Sequence, residues 1–413
     1  MCLPRNTRGD NVKRLFIAAA CIIATLVAVG TANGSGTVTS AAGAGFVDSS
    51  AGVHLWAPMH TAPHTFRSQA QAEDAAKRFD LITANPRQLG GYGNAMRAAN
   101  PSMKLFVYLN GTYLYKRLVG TLPDALLSHD ARGAIIRSRG YGNVLANPAS
   151  PGWVTYVQGE CAKLLLGSPF DGCFLDMLGT GPLFPGYGTG LPINPATGKV
   201  WTKRDWLTTT AALAAKVAAS TGKPVLGNGL GSGPRYFNAD GPASLLLNGA
   251  TGATAEAWVR PAGAPLSWHQ KASAWQQEVD MLSHAHSVGG LALTITKTWT
   301  AGSVAQKANA RKFALATFLL GNNGSSYFYF TANPTDPATL GDPLYDLPIG
   351  SPTGPYTVST GVYERAFTNG KVVVNPTGAP VTVSLGGAYV RSGGTAATSA
   401  NLGPYEAEIF TAS

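Results

Sequence analysis

The sequence predicts an α/β fold: a (β/α)8 TIM barrel followed by a small C-terminal antiparallel β domain. Three observations carry this reading. Eight short apolar runs alternate with helical patterns over roughly the length of such a barrel, about 250 residues. One of those runs, Gly172-Cys173-Phe174-Leu175-Asp176, ends in a carboxylate and opens into a long Gly/Pro-rich loop, as strands that deliver a site residue do. Beyond residue 360 the pattern changes to short alternating strands separated by turn residues.

In chain order, Arg5, Arg8, Lys13 and Arg14 precede an apolar run over 15–29 and the small residues Gly30-Thr31-Ala32, which predicts a secretory signal peptide over 1–32. The run is short for a membrane span, and too few apolar residues precede Cys21 for a lipid-attachment site. The expectation is therefore export as a soluble protein, extracellular or in the cell envelope, with no stable membrane insertion. A flexible Gly/Ala/Ser-rich leader follows over 33–52, then a barrel over 53–331. Its strands are expected at 53–58, 79–84, 104–109, 172–176, 224–228, 254–258, 290–296 and 326–330. Helical patterns fall at 68–78, 153–166, 205–220, 267–287 and 303–320. His54-Leu55-Trp56-Ala57-Pro58 offers no glycine loop, which disfavours an open doubly wound sheet. Pro, Gly and Asp mark 332–360 as a connector, and 361–413 reads as a β-sandwich-like domain with a turn at Asn369-Gly370. At this size it supports the barrel rather than carrying chemistry.

Lys and Arg number 31 against 21 Asp and Glu, and loss of 1–32 removes four and one of these, leaving a mild +7. No basic run of nucleic-acid type remains. Cys161 and Cys173 stay after the signal leaves. Strand alternation puts Phe174 on the side of Asp176 and Cys173 toward the helices, where Cys161 lies, so a disulfide is expected.

Barrel sites are built from strand exits and the loops after them. Asp176 ends the fourth strand and Glu256 lies in the sixth, and two carboxylates across a barrel mouth suit glycoside hydrolysis. Ala255, Ala257 and Trp258 predict apolar surroundings that hold Glu256 protonated as an acid. Residues suited to a sugar stand at other exits: Trp56 and His60, Asn85, then Tyr108, Asn110 and Tyr113. Asn228, Trp258 and Arg260, and Lys297 and Trp299 complete the expected substrate contacts. The loop from Met177 to Lys203, with Phe184, Tyr187 and Trp201, forms one wall of a cleft. No cofactor or metal is expected, the partner is a carbohydrate, and the chain is expected to be a monomer.

Two other classes compete: a non-catalytic carbohydrate-binding barrel, and a metal-dependent hydrolase or deacetylase using His60, His64 and Asp176. No HExxH or Cys/His pattern supports the metal reading. His284-Ala285-His286 sits on a helix, where neighbours two apart diverge. The glycines after Gly227 lack dinucleotide and phosphate-loop spacing, and there is no Gly-x-Ser-x-Gly.

Tyr108-Leu109-Asn110, Asn147-Pro148 with Pro151-Gly152-Trp153, Phe170-Asp171-Gly172 with Phe174-Leu175-Asp176, and the tail from Tyr363 to Pro376 together resemble hypothetical glycosyl hydrolase family 15. More distantly the chain is similar to endo-α-1,4-galactosaminidase-like barrels and to retaining α-glycosidases. The resemblance implies a nucleophilic Asp176 after the fourth strand and an acid/base at Glu256 after the sixth. The related α-glycosidases often carry Asp in that second role, a departure at Glu256.

Overall fold

The computed structural model describes residues 46, 52–61, 65–332 and 342–413. The expected signal peptide, nearly all of the leader, and His64 lie outside these residues.

Eight parallel strands pair in chain order: β1 (Trp56–Pro58), β2 (Leu81–Ala84), β3 (Lys104–Asn110), β4 (Gly172–Asp176), β5 (Val225–Asn228), β6 (Gly252–Ala255), β7 (Leu291–Lys297) and β8 (Ser326–Thr331). The Phe328 amide donates to the His54 carbonyl at 2.8 Å, and Leu55 bridges Phe328, so β8 returns to the first strand and closes the ring. Helices α1 (Gln69–Arg78), α2 (Gly93–Ala99), α3 (Pro151–Leu165), α4 (Lys203–Thr221), α5 (Ala272–Ser287) and α6 (Val304–Gly321) form the outer layer. Only 3-10 turns, among them Ala243–Asn248, link β5 to β6. Helix α2 is only seven residues long, too short for a periodicity to show in the sequence.

Two departures from expectation bear on the site. The sixth strand runs over Gly252–Ala255 rather than 254–258, because its small residues suit the crowded barrel interior while the bulkier segment after it does not extend the strand. Glu256 therefore stands just past the strand, and Val259, left-handed at φ 65°, turns the chain. The expected sandwich is instead one six-stranded antiparallel sheet: β9 (Thr357–Ser359), β10 (Val362–Phe367), β11 (Gly370–Asn375), β12 (Val381–Arg391), β13 (Ala396–Leu402) and β14 (Glu406–Ala412). Period-two alternation splits its strands between two clusters. Val372 and Val374 join the main core, whereas Val373 packs with Leu385, Leu402 and Phe410.

The sheet is fused to the barrel through α6, whose residues Phe313 to Gly321 are all buried. Arg365 on β10, itself 4% exposed, donates from Nη1 to the carbonyls of Leu319, Leu320 and Asn322 at 2.8–3.0 Å. Those are carbonyls that a helix C-terminus leaves without partners, so one guanidinium caps α6 from another domain. Cys161 of α3 and Cys173 of β4 are disulfide-bonded, with Cα atoms 6.2 Å apart, as the alternation of β4 predicts.

Candidate active site

Strand register assembles the site. Asn110 lies opposite Asp176, Tyr108 opposite Phe174, and Leu175 opposite Gly227, which brings Asn228 beside Asp176. Thr254 lies opposite Asn228, so Glu256 emerges two residues further along the same rim. The loops after β4 and β5 then touch backbone to backbone. A Cβ on Gly229 would stand 2.2 Å from the Gly179 nitrogen, and Gly229 adopts φ 130°, so no other residue fits there. Leu178 and Gly179 both donate their amides to the Asn228 carbonyl.

Asp176 accepts from Tyr108 Oη at 2.6 Å, from Asn228 Nδ2 at 2.8 Å and from the Met177 amide at 2.7 Å. Met177, at φ 64°, holds the left-handed turn that aims this amide back. Burial raises the pKa of Asp176, the hydrogen bonds from Tyr108 and Asn228 oppose it, and the nearby Glu256 charge adds to the rise. Glu256, with 42% of its side chain exposed, accepts from Asn228 Nδ2 at 2.7 Å and pairs with Lys297 Nζ at 3.3 Å. Asn228 Nδ2 thus bonds both acids at 2.8 and 2.7 Å, so the two bridged oxygens are at most 5.5 Å apart, the bonds laid end to end.

Beneath the acids lies an aromatic floor. His60 stacks on Tyr108 and packs on Phe174 at centroid distances of 4.9 and 4.7 Å, and its Nδ1 bonds Thr83 Oγ1 at 2.7 Å. Burial pushes its pKa down to about 4, so the ring is neutral at pH 7. A cavity of about 510 Å3 opens beside the pair, walled by Met177, Phe184, Tyr187, Asn228, Arg235 and Glu256. Burial, then the charge of Asp176, pushes Tyr187 up to about 12.

The sequence matches the family described as hypothetical glycosyl hydrolase family 15 over residues 97–371. The chain belongs to that family. No curated protein matches this chain. Among solved structures, a GH36 α-galactosidase, AgaA from Geobacillus stearothermophilus, superposes with a TM-score of 0.51 at 10% identity, over 88% of this chain and 55% of that one. A noncanonic maltogenic α-amylase, AmyB from Thermotoga neapolitana, gives a TM-score of 0.51 at 10% identity, over 87% and 98%. These likenesses concern the fold, and the chain spans about half the length of the α-galactosidase.

In this chain several expected substrate residues take other places. Trp56 is fully buried and donates to the Thr294 carbonyl, and Trp258, also fully buried, donates to the Glu278 carbonyl and packs edge-on to Phe318 and Phe328. Both are core residues. Trp258 does not face Glu256, whose polar neighbours are instead Asn228 and Lys297, so the expected apolar surroundings are absent. Asn85 caps a 3-10 turn with Gln88, and Asn110 accepts from the amides of Thr112 and Tyr113 to hold its loop. Tyr113 is buried with Trp201 and Trp206 beneath the cleft wall, so Trp201 is packing too. Arg260 is buried and turned to a separate cavity. Lys297 remains at the site, over the Trp299 ring at 5.0 Å, and Trp299 is 40% exposed at the rim. Among the described residues no three His, Cys, Asp or Glu converge as a metal cluster. His284 and His286 bond Tyr236 and Ser325 separately. Sequence reasoning passed over Thr83, which fixes His60, and the turn at Met177. Neither has a composition signal.

Proposed function

We propose that this chain is an exported, metal-independent retaining glycosidase acting on a poly- or oligosaccharide, with Asp176 as nucleophile and Glu256 as acid/base. The observation that carries the reading is the single amide of Asn228 that bonds both carboxylates at 2.8 and 2.7 Å. Carboxyl groups about 5–5.5 Å apart suit a retaining mechanism, while inversion needs about 6.5–9.5 Å to admit water between sugar and base.

The environments divide the roles. Three donors to Asp176 offset part of the rise that burial causes and fix its orientation, as a nucleophile requires. Glu256 is open to solvent, so it can release and regain a proton in each turnover. A carboxylate oxygen of Asp176 bonds the anomeric carbon as the glycosidic C–O bond breaks, and Glu256 gives its proton to the departing oxygen. Glu256 then takes a proton from water, whose oxygen replaces Asp176 at that carbon. Export rests on the basic, then apolar, then small-residue pattern of 1–32.

Activated and unactivated aryl glycosides test the roles. Asp176→Asn should abolish turnover of both, while Glu256→Gln should spare the activated leaving group, and the first sugar released should keep its anomeric configuration. Wild-type rates in Asp176→Asn would refute the pair, and an inverted product would refute the retaining assignment. Sugar binding without turnover of any substrate would leave a carbohydrate-binding barrel.

A further inference from the structure

A second cavity, about 210 Å3, lies where the segment after β6 and the first half of α6 meet the C-terminal sheet. It is separate from the carboxylate pair, although Glu256 and Val259 of one segment wall the two cavities. Arg260 lines it and is 5% exposed. Its Nη2 donates to the carbonyls of Ala264 and Pro265 at 2.7 Å, its Nε has no partner, and no acidic side chain pairs with it among the described residues. A buried cation without a counter-charge is costly, and burial accordingly lowers its pKa. Gln270 Oε1, also at this cavity, is buried without a partner.

The rest of the lining matches a sugar. Trp268 presents an indole that is 37% exposed, and Gln306 and Asn309 present amides. Tyr405 stacks on His269 at 3.8 Å and helps close the wall. Backbone strain gathers here as well. Of the four non-glycine residues with positive φ among the described residues, Val259 at 65° and Tyr405 at 56° both line this cavity, and Met177 lines the other. A β-branched residue in that region is an outlier that persists only where its surroundings enforce it, commonly at binding sites.

We infer that this cavity is a second carbohydrate site that takes one acidic sugar residue, a uronate. The carboxylate would meet the Arg260 guanidinium, the ring face would lie on Trp268, and hydroxyls would meet Gln306, Asn309 and Glu406. The volume falls below the about 300–1,000 Å3 of drug-sized pockets, which suits one ring rather than a chain.

Calorimetric titration of the full chain with glucuronate, galacturonate and glucose tests this. One uronate should bind per chain, with glucose at least about tenfold weaker. Arg260→Gln and Trp268→Ala should each weaken uronate binding about tenfold, and Tyr187→Ala, in the other cavity, should leave it unchanged. Equal affinity for glucose, no binding of either uronate, or loss in Tyr187→Ala with retention in Trp268→Ala would overturn the inference. Trp268 lies at the surface, so its variant decides the matter even if Arg260→Gln fails to fold.

Discussion

Asn228 has two amide hydrogens and gives one to each acid, so it fixes the spacing of the pair by direct contact with both carboxylates. Asn228→Ala should lower kcat/KM by about 10²-fold, the usual loss for a preorganised donor, with an unchanged circular dichroism spectrum. The loss should fall mainly on kcat. Asp176 sets a pH prediction. Its proton is held more tightly in the folded than in the unfolded chain, so between the unfolded value near 3.9 and the raised folded value the native state binds more protons. Stability therefore falls as pH rises through that window. Asp176→Asn, whose amide oxygen still accepts from Asn228 and Met177, should melt at a higher temperature than wild type at pH 7, with the gain gone near pH 3. If Asp176 is the nucleophile we propose, the acid limb of kcat/KM should lie above the ordinary aspartate value, because that carboxylate must be ionised.

At the scale of elements, β4 and β5 were readable because apolar runs ending in Asp176 and Asn228 are unlike anything a surface loop requires. The sixth strand was misplaced because Gly252-Ala253-Thr254-Ala255 has almost no hydrophobic contrast. Trp56, Trp258 and Tyr113 were misassigned for one shared reason. An aromatic at a strand exit can point into the barrel or behind it, and only register and turn geometry decide which. His60, Tyr108 and Lys297 stand beside the acids, but their partners across strands were invisible in one dimension. The contact of Gly179 with Gly229 also escaped the sequence. Gly229→Ala faces a backbone clash and an unfavourable φ together. It should cost at least about 2 kcal/mol in denaturant unfolding and depress turnover by moving Asn228.

For the molecule as a whole, the C-terminal sheet is part of the barrel's structure rather than an appendage. Arg365 satisfies three carbonyls at the end of α6, and burial lowers its own pKa to about 10. Arg365→Ala would leave those carbonyls buried and unpaired, and should cost about 3 kcal/mol in urea unfolding without changing KM on a small substrate. A chain ending near Thr331 would expose the apolar face of α6 and should aggregate, whereas the intact chain should unfold in one transition. A soluble, active truncation would contradict this. Barrel and sheet were both legible as patterns in the sequence. The arginine cap that helps join them was not, since Arg365 reads as an ordinary strand residue.

The disulfide between Cys161 and Cys173 has a practical consequence. Both sulfurs belong to residues with no solvent exposure, so once the barrel closes neither oxidant nor reductant can reach them. The bond must form while the chain is still open, under conditions that oxidise thiols. Production in a reducing cytosol would yield the dithiol form, and exposing that folded product to air would not repair it. Strains that oxidise nascent chains, or refolding from denaturant in a glutathione buffer, are the routes to the bridged chain.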